Sequence, residues 1–270
     1  NVDLTWDCTN GVLASSCTPD LISAASESGC LGLNIGMESG NPDVLRKIRK
    51  PASVGTLMKA AEVLRDFPDI FARVFLIIGF PHETFGQMLD TFNVSKEMGL
   101  DWYQIQVLQP LPNTPIFDQM MAEGLVDISD FKNVRYSGGT YGRAAKVTET
   151  GRDMLDRDFK NIFVDRVLDE EVPKDLFESI WAHMTFHLNY ASIPRETRDV
   201  KLRQFQRYLR HITDVIAPND AMALFYLGDI QQRLENEVDA ELVSRLDDLT
   251  RTSQYWGERF TEFGLSIDDL

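Results

Sequence analysis

Apolar and polar positions repeat one unit over the first 125 residues: an apolar run of strand length, then a stretch with apolar residues three and four apart. The runs at 1–6, 30–37, 73–78 and 102–108 predict four strands, the first ending at Asp7. Helices are predicted over 19–28, from Asn41-Pro42 onward, over 54–67 and over 84–98. Gly29 and Gly99 supply the stops, and Pro42 falls in a first turn, where its missing N–H costs nothing. Strands separated by helices at intervals of about 30 residues predict βαβ units in a parallel sheet. The strands read as apolar throughout, which predicts a sheet covered on both faces. Four strands fall short of a closed (β/α)₈ barrel. The fold class is therefore α/β, a partial TIM-like barrel over 1–125.

The texture changes beyond residue 125. Residues 126–170 are mixed and include the glycine-rich loop Tyr136-Ser137-Gly138-Gly139-Thr140-Tyr141-Gly142. It follows no clear strand, matches no phosphate-binding pattern, and reads as a turn over the sheet end. From residue 171 the spacing is helical: 173–190, 194–216, 220–237, and one or two helices within 238–263. Residues 126–270 thus form a mixed connector and a mainly α-helical C-terminal region.

With 43% hydrophobic and 26% charged residues, the chain belongs with folded globular proteins rather than disordered ones. Its net charge of −15 repels phosphate backbones, so no general nucleic-acid binding is expected. Arg46, Lys47, Arg49 and Lys50 form the densest basic patch. No apolar run reaches the length of a membrane span, and no signal-peptide pattern opens the sequence. Cys8, Cys17 and Cys30 are too few for a disulfide scaffold and contain no CxxC pair. A cytoplasmic protein is the expectation, with no metal ligands assigned. Cys30 reads as a small buried hydrophobe, and Cys8, beyond the first strand, is a candidate to face a cavity. His183 and His187 stand four apart on a helix among Met184, Phe186 and Leu188, and read as structural. Asp153, Asp156, Asp158, Asp165, Asp169, Glu170 and Glu171 read as a solvated acidic stretch.

Three strand ends carry candidate chemistry. Gly36-Met37-Glu38-Ser39-Gly40-Asn41 places a carboxylate and a hydroxyl before a helix start, between glycines that permit close backbone approach. The alternative there is that Ser39 or Asn41 only caps the next helix. The run from Phe75 to Thr84 ends a buried strand in Gly79-Phe80-Pro81 and opens a helix at Glu83-Thr84. The run from Gln106 to Pro115 leads a strand into a proline-stiffened loop. In an α/β barrel such ends converge on one face.

The segments ESGNPDVLRKIRKP, FLIIGFPHET and LQPLPNTPIFDQM, in that order, resemble the radical S-adenosylmethionine (radical SAM) superfamily, in particular its cobalamin-associated and methylthiotransferase-like branches. LTWDCTNGVLASSCTPDLISAASESGC is similar to the family's third strand and following helix. The resemblance covers about residues 1–125, as the family's third to sixth strands. It implies S-adenosylmethionine and a 4Fe–4S cluster in the parent enzyme, with cobalamin a further possible cofactor. Glu38 and Ser39 would match the ribose-contacting motif. Ile78, Gly79 and Phe80, with Glu83, would match the turn near the adenine. Leu108, Gln109, Pro110 and Leu111 would match the strand end that touches adenine through the backbone. Lys47, Arg49 or Lys50 would lie near the cofactor carboxylate. The family's Cys-x-x-x-Cys-x-x-Cys loop is absent from this sequence, and the three cysteines have the wrong spacing for it. The expectation is a cofactor-cradling fragment of a radical SAM enzyme, inactive alone, with an open strand edge near residues 1–6 that invites pairing. The alternative is a non-catalytic degenerate barrel serving as a binding module. The substrate and the catalytic residues are not legible.

Overall fold

The computed structural model describes residues 4–125 and 162–270. The Tyr136–Gly142 loop and the acidic residues Asp153, Asp156 and Asp158 lie outside the described residues. Four strands, β1 (Trp6–Val12), β2 (Cys30–Glu38), β3 (Phe71–Ile78) and β4 (Trp102–Val107), form one parallel sheet in the order β1-β2-β3-β4. The connecting helices are α1 (Pro19–Glu27), α2 (Pro42–Lys47), α3 (Val54–Arg65) and α4 (Phe85–Met98). Each starts at a side-chain cap. Thr18, Asn41, Ser53 and Thr84 accept first-turn N–H groups, and Thr84 with Gln87 completes a capping box. α5 (Pro115–Ala122) follows β4; its Thr114 cap and first-turn Pro115 stand where the sequence reads as a stiff loop. The fold is α/β with a helical C-terminal region.

The first strand differs from expectation: it starts at Trp6 rather than ending there. Gly29, at φ 87, turns the chain so that its carbonyl accepts the Trp6 N–H at 3.0 Å. Asp7 is tolerated inside the strand because Arg73 of β3 pairs with it. Cys8 consequently lies in β1, packed against the core, and does not stand beyond the strand.

The sheet is not apolar on both faces. Leu33, Ile35, Met37, Ala72, Val74, Leu76, Ile78, Tyr103 and Ile105 point toward the helices and are buried with Ile22, Leu57, Leu64 and Met88. Each large side chain buried there contributes about 1.5–3 kcal/mol. The alternate positions carry small and polar residues. Strand register aligns Gly32 with Phe71, Asn34 with Arg73 and Trp102, Gly36 with Phe75 and Gln104, and Ile77 with Gln106. This inner face is the one a closed barrel would fill with branched apolar side chains.

The C-terminal region comprises α6 (Phe177–Thr185), α7 (Asp199–His211), α8 (Ala221–Glu235), α9 (Ala240–Thr252) and α10 (Gln254–Phe263). π-helical turns extend α6 over Phe186–Tyr190 and α7 over Ile212–Ile216. α7 plugs the amino-terminal end of the inner face, where Phe71 and Trp102 pack with Phe205 and Tyr208. Lys201 donates to the Ile70 carbonyl (2.9 Å) and to Asp101 (2.7 Å), and Gln204 to the carbonyls of Pro68 and Asp69. α6 and its extension close the β4 edge. Asn189 exchanges two hydrogen bonds with the Tyr103 backbone, and Trp181 Nε1 donates to the Ile105 carbonyl. Among the described residues β1 pairs only with β2, and Leu4, Trp6, Leu13 and Leu21 are exposed near it.

Candidate functional site

The carboxyl ends of β2, β3 and β4 surround a cavity of about 520 Å³. Glu38 and the α2 end (Lys47, Ile48, Arg49) form one side, Ile77, Phe80, Pro81 and Leu108 another, and α5 (Pro115, Ile116, Gln119) a third. The backbone bends sharply in the lining at Glu38 and Arg49 and in the adjoining turns at His82 and Asn113, all with left-handed φ values, 67°, 56°, 60° and 65°. Such conformations are costly outside glycine and collect where function over-determines them. Glu38 ends β2 beside a register shift, and its carboxylate accepts from Lys50 at 2.9 Å. Gly36 leaves room for that pair, since a Cβ there would lie 3.0 Å from Lys50 Nζ. Lys47 donates to the Pro81 carbonyl at 2.7 Å, tying α2 to the β3 turn. Arg49 is exposed; its N–H donates to the Arg46 carbonyl at 3.1 Å, and its guanidinium makes no hydrogen bond or ion pair among the described residues.

The residues expected at the site divide. Glu38, Phe80 and Leu108 line the cavity. Ser39, fully buried, bonds Thr91 and accepts the Asn41 N–H, so its hydroxyl holds the turn. Glu83, 3% exposed, accepts the N–H groups of Gly79 (2.6 Å) and Phe80 (3.0 Å) and braces that turn from behind. Burial raises its carboxyl pKa to about 7 against the pull of those two N–H groups and of Lys47, and its Oε1 has no partner among the described residues. Ile78 faces the helix-side core, and Gly79, at φ 81, lies against Phe177 of α6. Gln109 and Pro110 follow Leu108 outside the cavity lining, with Gln109 Oε1 buried and without a partner among the described residues. Gly40 admits α4 rather than a ligand: a Cβ there would meet Thr91 Cα at 2.8 Å and the Asp90 carbonyl at 2.9 Å. The wall supplied by α5 is absent from the sequence reading, although Thr114-Pro115 is a helix-start signal.

At the rim, His82 bridges Glu171 (Nδ1, 2.9 Å) and Glu123 at the end of α5 (Nε2, 3.0 Å). The hydrogen bond to Glu171, then that to Glu123, raises the His82 pKa above its ordinary value. Beside it, Phe85 and Gly86 donate to the carbonyls of Glu170 and Leu168, and Val172 to that of Glu83. A raised histidine pKa means that the clasp is complete below about pH 6.5 and is lost as pH rises through the folded-state value. Proton NMR of His82 is expected to titrate above the free-histidine value. Amide exchange in α5 should quicken over the same interval, and an unshifted titration would refute the clasp.

Burial of Cys17 pushes its thiol up to about 11, and burial likewise raises Cys30, whose Sγ contacts the Gly32 carbonyl. With Cys8 packed in β1, the cysteines do not fit an iron–sulfur cluster. Among the described residues no three His, Cys, Asp or Glu side chains are grouped to hold a metal ion. The His183 and His187 rings lie 4.3 Å apart, tilted by 55° to each other, beside Phe92, and burial, then His183, lowers the His187 pKa to about 4. Among the described residues no helix is long and apolar enough to cross a membrane.

Residues 7–94 match the family model of the radical SAM superfamily. The chain is 23% identical over 190 residues to an uncharacterized methyltransferase of Pyrococcus horikoshii, covering 70% of this chain and 39% of that protein. It is 29% identical over 103 residues to the tRNA-2-methylthio-N(6)-dimethylallyladenosine synthase of Deinococcus radiodurans, covering 37% of this chain and 20% of that enzyme. The corresponding synthase of a Sulfurihydrogenibium species is 28% identical over 101 residues, 23% of its length. The family-model match thus covers β1, β2 and β3, and with them two of the three strands whose ends surround the cavity. The chain spans well under half the length of these relatives.

Proposed function

We propose that this chain supplies the nucleoside-binding wall of a radical SAM enzyme that transfers a methyl or methylthio group. One observation carries the reading: a charged carboxylate, Glu38, faces a slot otherwise walled by Ile77, Phe80, Leu108 and Ile116. A ribose needs an acceptor for its hydroxyls and a heteroaromatic ring needs apolar walls, so the cavity suits the adenosyl group of S-adenosylmethionine. Glu38 would accept from the ribose, oriented by Lys50. Phe80 and Leu108 would flank the ring. Lys47 and Arg49, at the same mouth, would take the carboxylate. When bound, S-adenosylmethionine supplies the 5′-deoxyadenosyl group that this family uses as a radical source. Ser39 and Glu83 act behind the wall, each committed to main-chain N–H groups of a strand end. The names of the relatives support group transfer. A second reading, a binding module without catalysis, is favoured by the cysteine placement alone. Iron content and S-adenosylmethionine cleavage in the complete, anaerobically reconstituted protein separate the two.

The cradle is tested with S-adenosylhomocysteine, which binds without being cleaved, by calorimetry on the complete protein. Glu38→Gln is expected to weaken binding about 10- to 100-fold, the worth of a hydrogen bond to a charged group. Ser39→Ala should lower thermal stability and leave affinity unchanged. Equal affinity of wild type and Glu38→Gln would reject the assignment.

A further inference from the structure

A second cavity, of about 40 Å³, lies in the helical region between α6, the start of α8 and α10, and shares no residue with the first. Trp181, Tyr190, Tyr255 and Trp256 wall it and are buried. Phe186 and Phe263 are half buried and stack at its mouth, with ring centroids 3.5 Å apart. Phe186 and Tyr190 belong to the π-helical turn that extends α6, and such turns collect at functional sites. Most polar groups here are committed. Trp181 Nε1 donates to the Ile105 carbonyl, and the Tyr190 hydroxyl donates to Asp220 Oδ2 at 3.2 Å. Asp220 Oδ1 accepts the Ala223 N–H at 3.0 Å. Arg259 pairs with Glu262 and lies over the Tyr255 ring, 5.3 Å from its centroid. Two groups differ. Trp256 and Thr185, 4% and 7% exposed, line the cavity, and their Nε1 and Oγ1 have no hydrogen-bond partner among the described residues. A buried polar atom left in that state is costly, and two beside one cavity point to an occupant.

The surroundings define that occupant. An anion would lie beside the Asp220 carboxylate and a cation beside the Arg259 guanidinium, so an uncharged group is favoured over either. The indole can only donate, and the hydroxyl can donate as well, so the group carries a carbonyl. The Asp220 oxygens are already engaged, so an N–H on the occupant would be poorly met. Proline is the residue with a carbonyl before it and no N–H of its own. Its flat apolar ring suits aromatic walls, as in other grooves that bind extended proline-containing segments. A free molecule small enough for this cavity makes too few contacts to bind tightly, which favours one residue of a longer chain. Residues 1–3 and 126–161 contain no proline, so they do not supply it. Glu178 acts on Tyr255 across the cavity wall and Glu262 stands beside Arg259, which favours a basic flank.

We propose that this aromatic cavity of the helical region binds a partner protein through a proline held in an extended segment with lysine or arginine on either side. Trp256 Nε1 and the Thr185 hydroxyl donate to the segment's carbonyls, and the proline ring enters between Tyr190, Tyr255 and Trp256 by displacing the stacked Phe186 and Phe263 rings. The proposal is independent of the nucleoside reading of the first cavity.

The test follows the tryptophan indole N–H resonances of the complete protein. The probe is a capped lysine-alanine-proline-alanine-lysine peptide. It is expected to shift the Trp256 resonance, assigned by its disappearance in Trp256→Phe. Replacing the proline by alanine should weaken binding about tenfold, and replacing both lysines by glutamate should weaken it further. Trp256→Phe keeps a ring but removes the donor and should weaken the proline peptide about tenfold; Thr185→Val should also weaken it. The proline-to-alanine comparison on the wild type decides the matter even where a variant does not fold. No shift of Trp256, or equal affinity for the alanine peptide, overturns the proposal. Stronger binding of acetate or tetramethylammonium than of the peptide overturns it in favour of a charged ligand. A Trp256 shift that follows protein concentration without peptide overturns it in favour of a second copy of the chain.

Discussion

Lys201→Met is expected to cost about 3–5 kcal/mol of folding stability, the usual consequence of leaving a buried charge without its partner. Lys201 is 4% exposed, and its ammonium is shared between Asp101 Oδ2 at 2.7 Å and the Ile70 carbonyl at 2.9 Å. Asp101 also accepts the Ala72 N–H at 2.7 Å, so its carboxylate cannot turn away to water without uncoupling the start of β3. Burial already raises the Asp101 pKa, with Lys201 the largest opposing influence. Removing Lys201 raises it further. The folded variant then binds a proton that the unfolded chain releases, and the deficit grows as pH rises through the ordinary carboxylate range. Urea denaturation at pH 7 and pH 5 checks both parts: a lower midpoint in the variant, and a smaller difference at pH 5. Asp101→Asn in the Lys201→Met background should recover part of the loss. A change below about 1 kcal/mol would mean that α7 is only draped over the strands. The same experiment tests whether the helical region is a separate unit. If its packing on Phe71 and Trp102 is integral, both regions unfold in one transition.

The elements were legible in the sequence because caps and breakers are local. Thr18, Asn41, Ser53 and Thr84 each stand one residue before a helix, and Gly99 one residue after. The strand faces were harder to read. In Cys-Leu-Gly-Leu-Asn-Ile-Gly-Met-Glu every second residue is small or polar, yet the intervening Leu, Ile and Met make the whole run look apolar. Parity along β2 and β4, taken together, was the available signal for a face of small and polar residues. β1 was misplaced because Asp7 looks like a strand terminator until Arg73, far along the chain, is seen to pair with it. Local pattern carries no information about such a partner.

The site shows a related limit. Glu38, Ser39 and Glu83 are equally polar at equally suggestive strand ends, but only Glu38 reaches the cavity. Ser39 and Glu83 spend their oxygens on neighbouring N–H groups. A motif records that a residue type is needed at a position; it does not say whether the need comes from the ligand or from the turn that presents it. The left-handed φ of Glu38 separates the two, since that strain lies at the residue facing the cavity while Ser39 merely follows it.

Asn189→Leu should be the most damaging change on the far side of the sheet, at about 2–4 kcal/mol, because it strands two buried main-chain groups at once. The Tyr103 N–H donates to Asn189 Oδ1 at 2.7 Å and the Tyr103 carbonyl accepts from Nδ2 at 3.0 Å, so one side chain stands in for the peptide of a neighbouring strand. Asn189 is 1% exposed, and no solvent reaches the pair once the amide is lost. Each unsatisfied group costs about 1–3 kcal/mol. Asn189→Asp, at about pH 7, keeps an acceptor for the N–H but loses the donor and buries a charge, so it should be no milder. Trp181, donating to the Ile105 carbonyl at 2.9 Å, continues the same cover one step along the strand. Trp181→Phe should therefore cost less, about 1–2 kcal/mol. Hydrogen exchange distinguishes edge exposure from general loosening. In Asn189→Leu the Tyr103 amide should lose protection out of proportion to amides of β2, whose partners are both strands. Uniform loss across the sheet would show that Asn189 contributes only packing. A freed β4 edge is also a template for pairing with another chain, and Asn189→Leu should self-associate more strongly than the wild type as concentration rises.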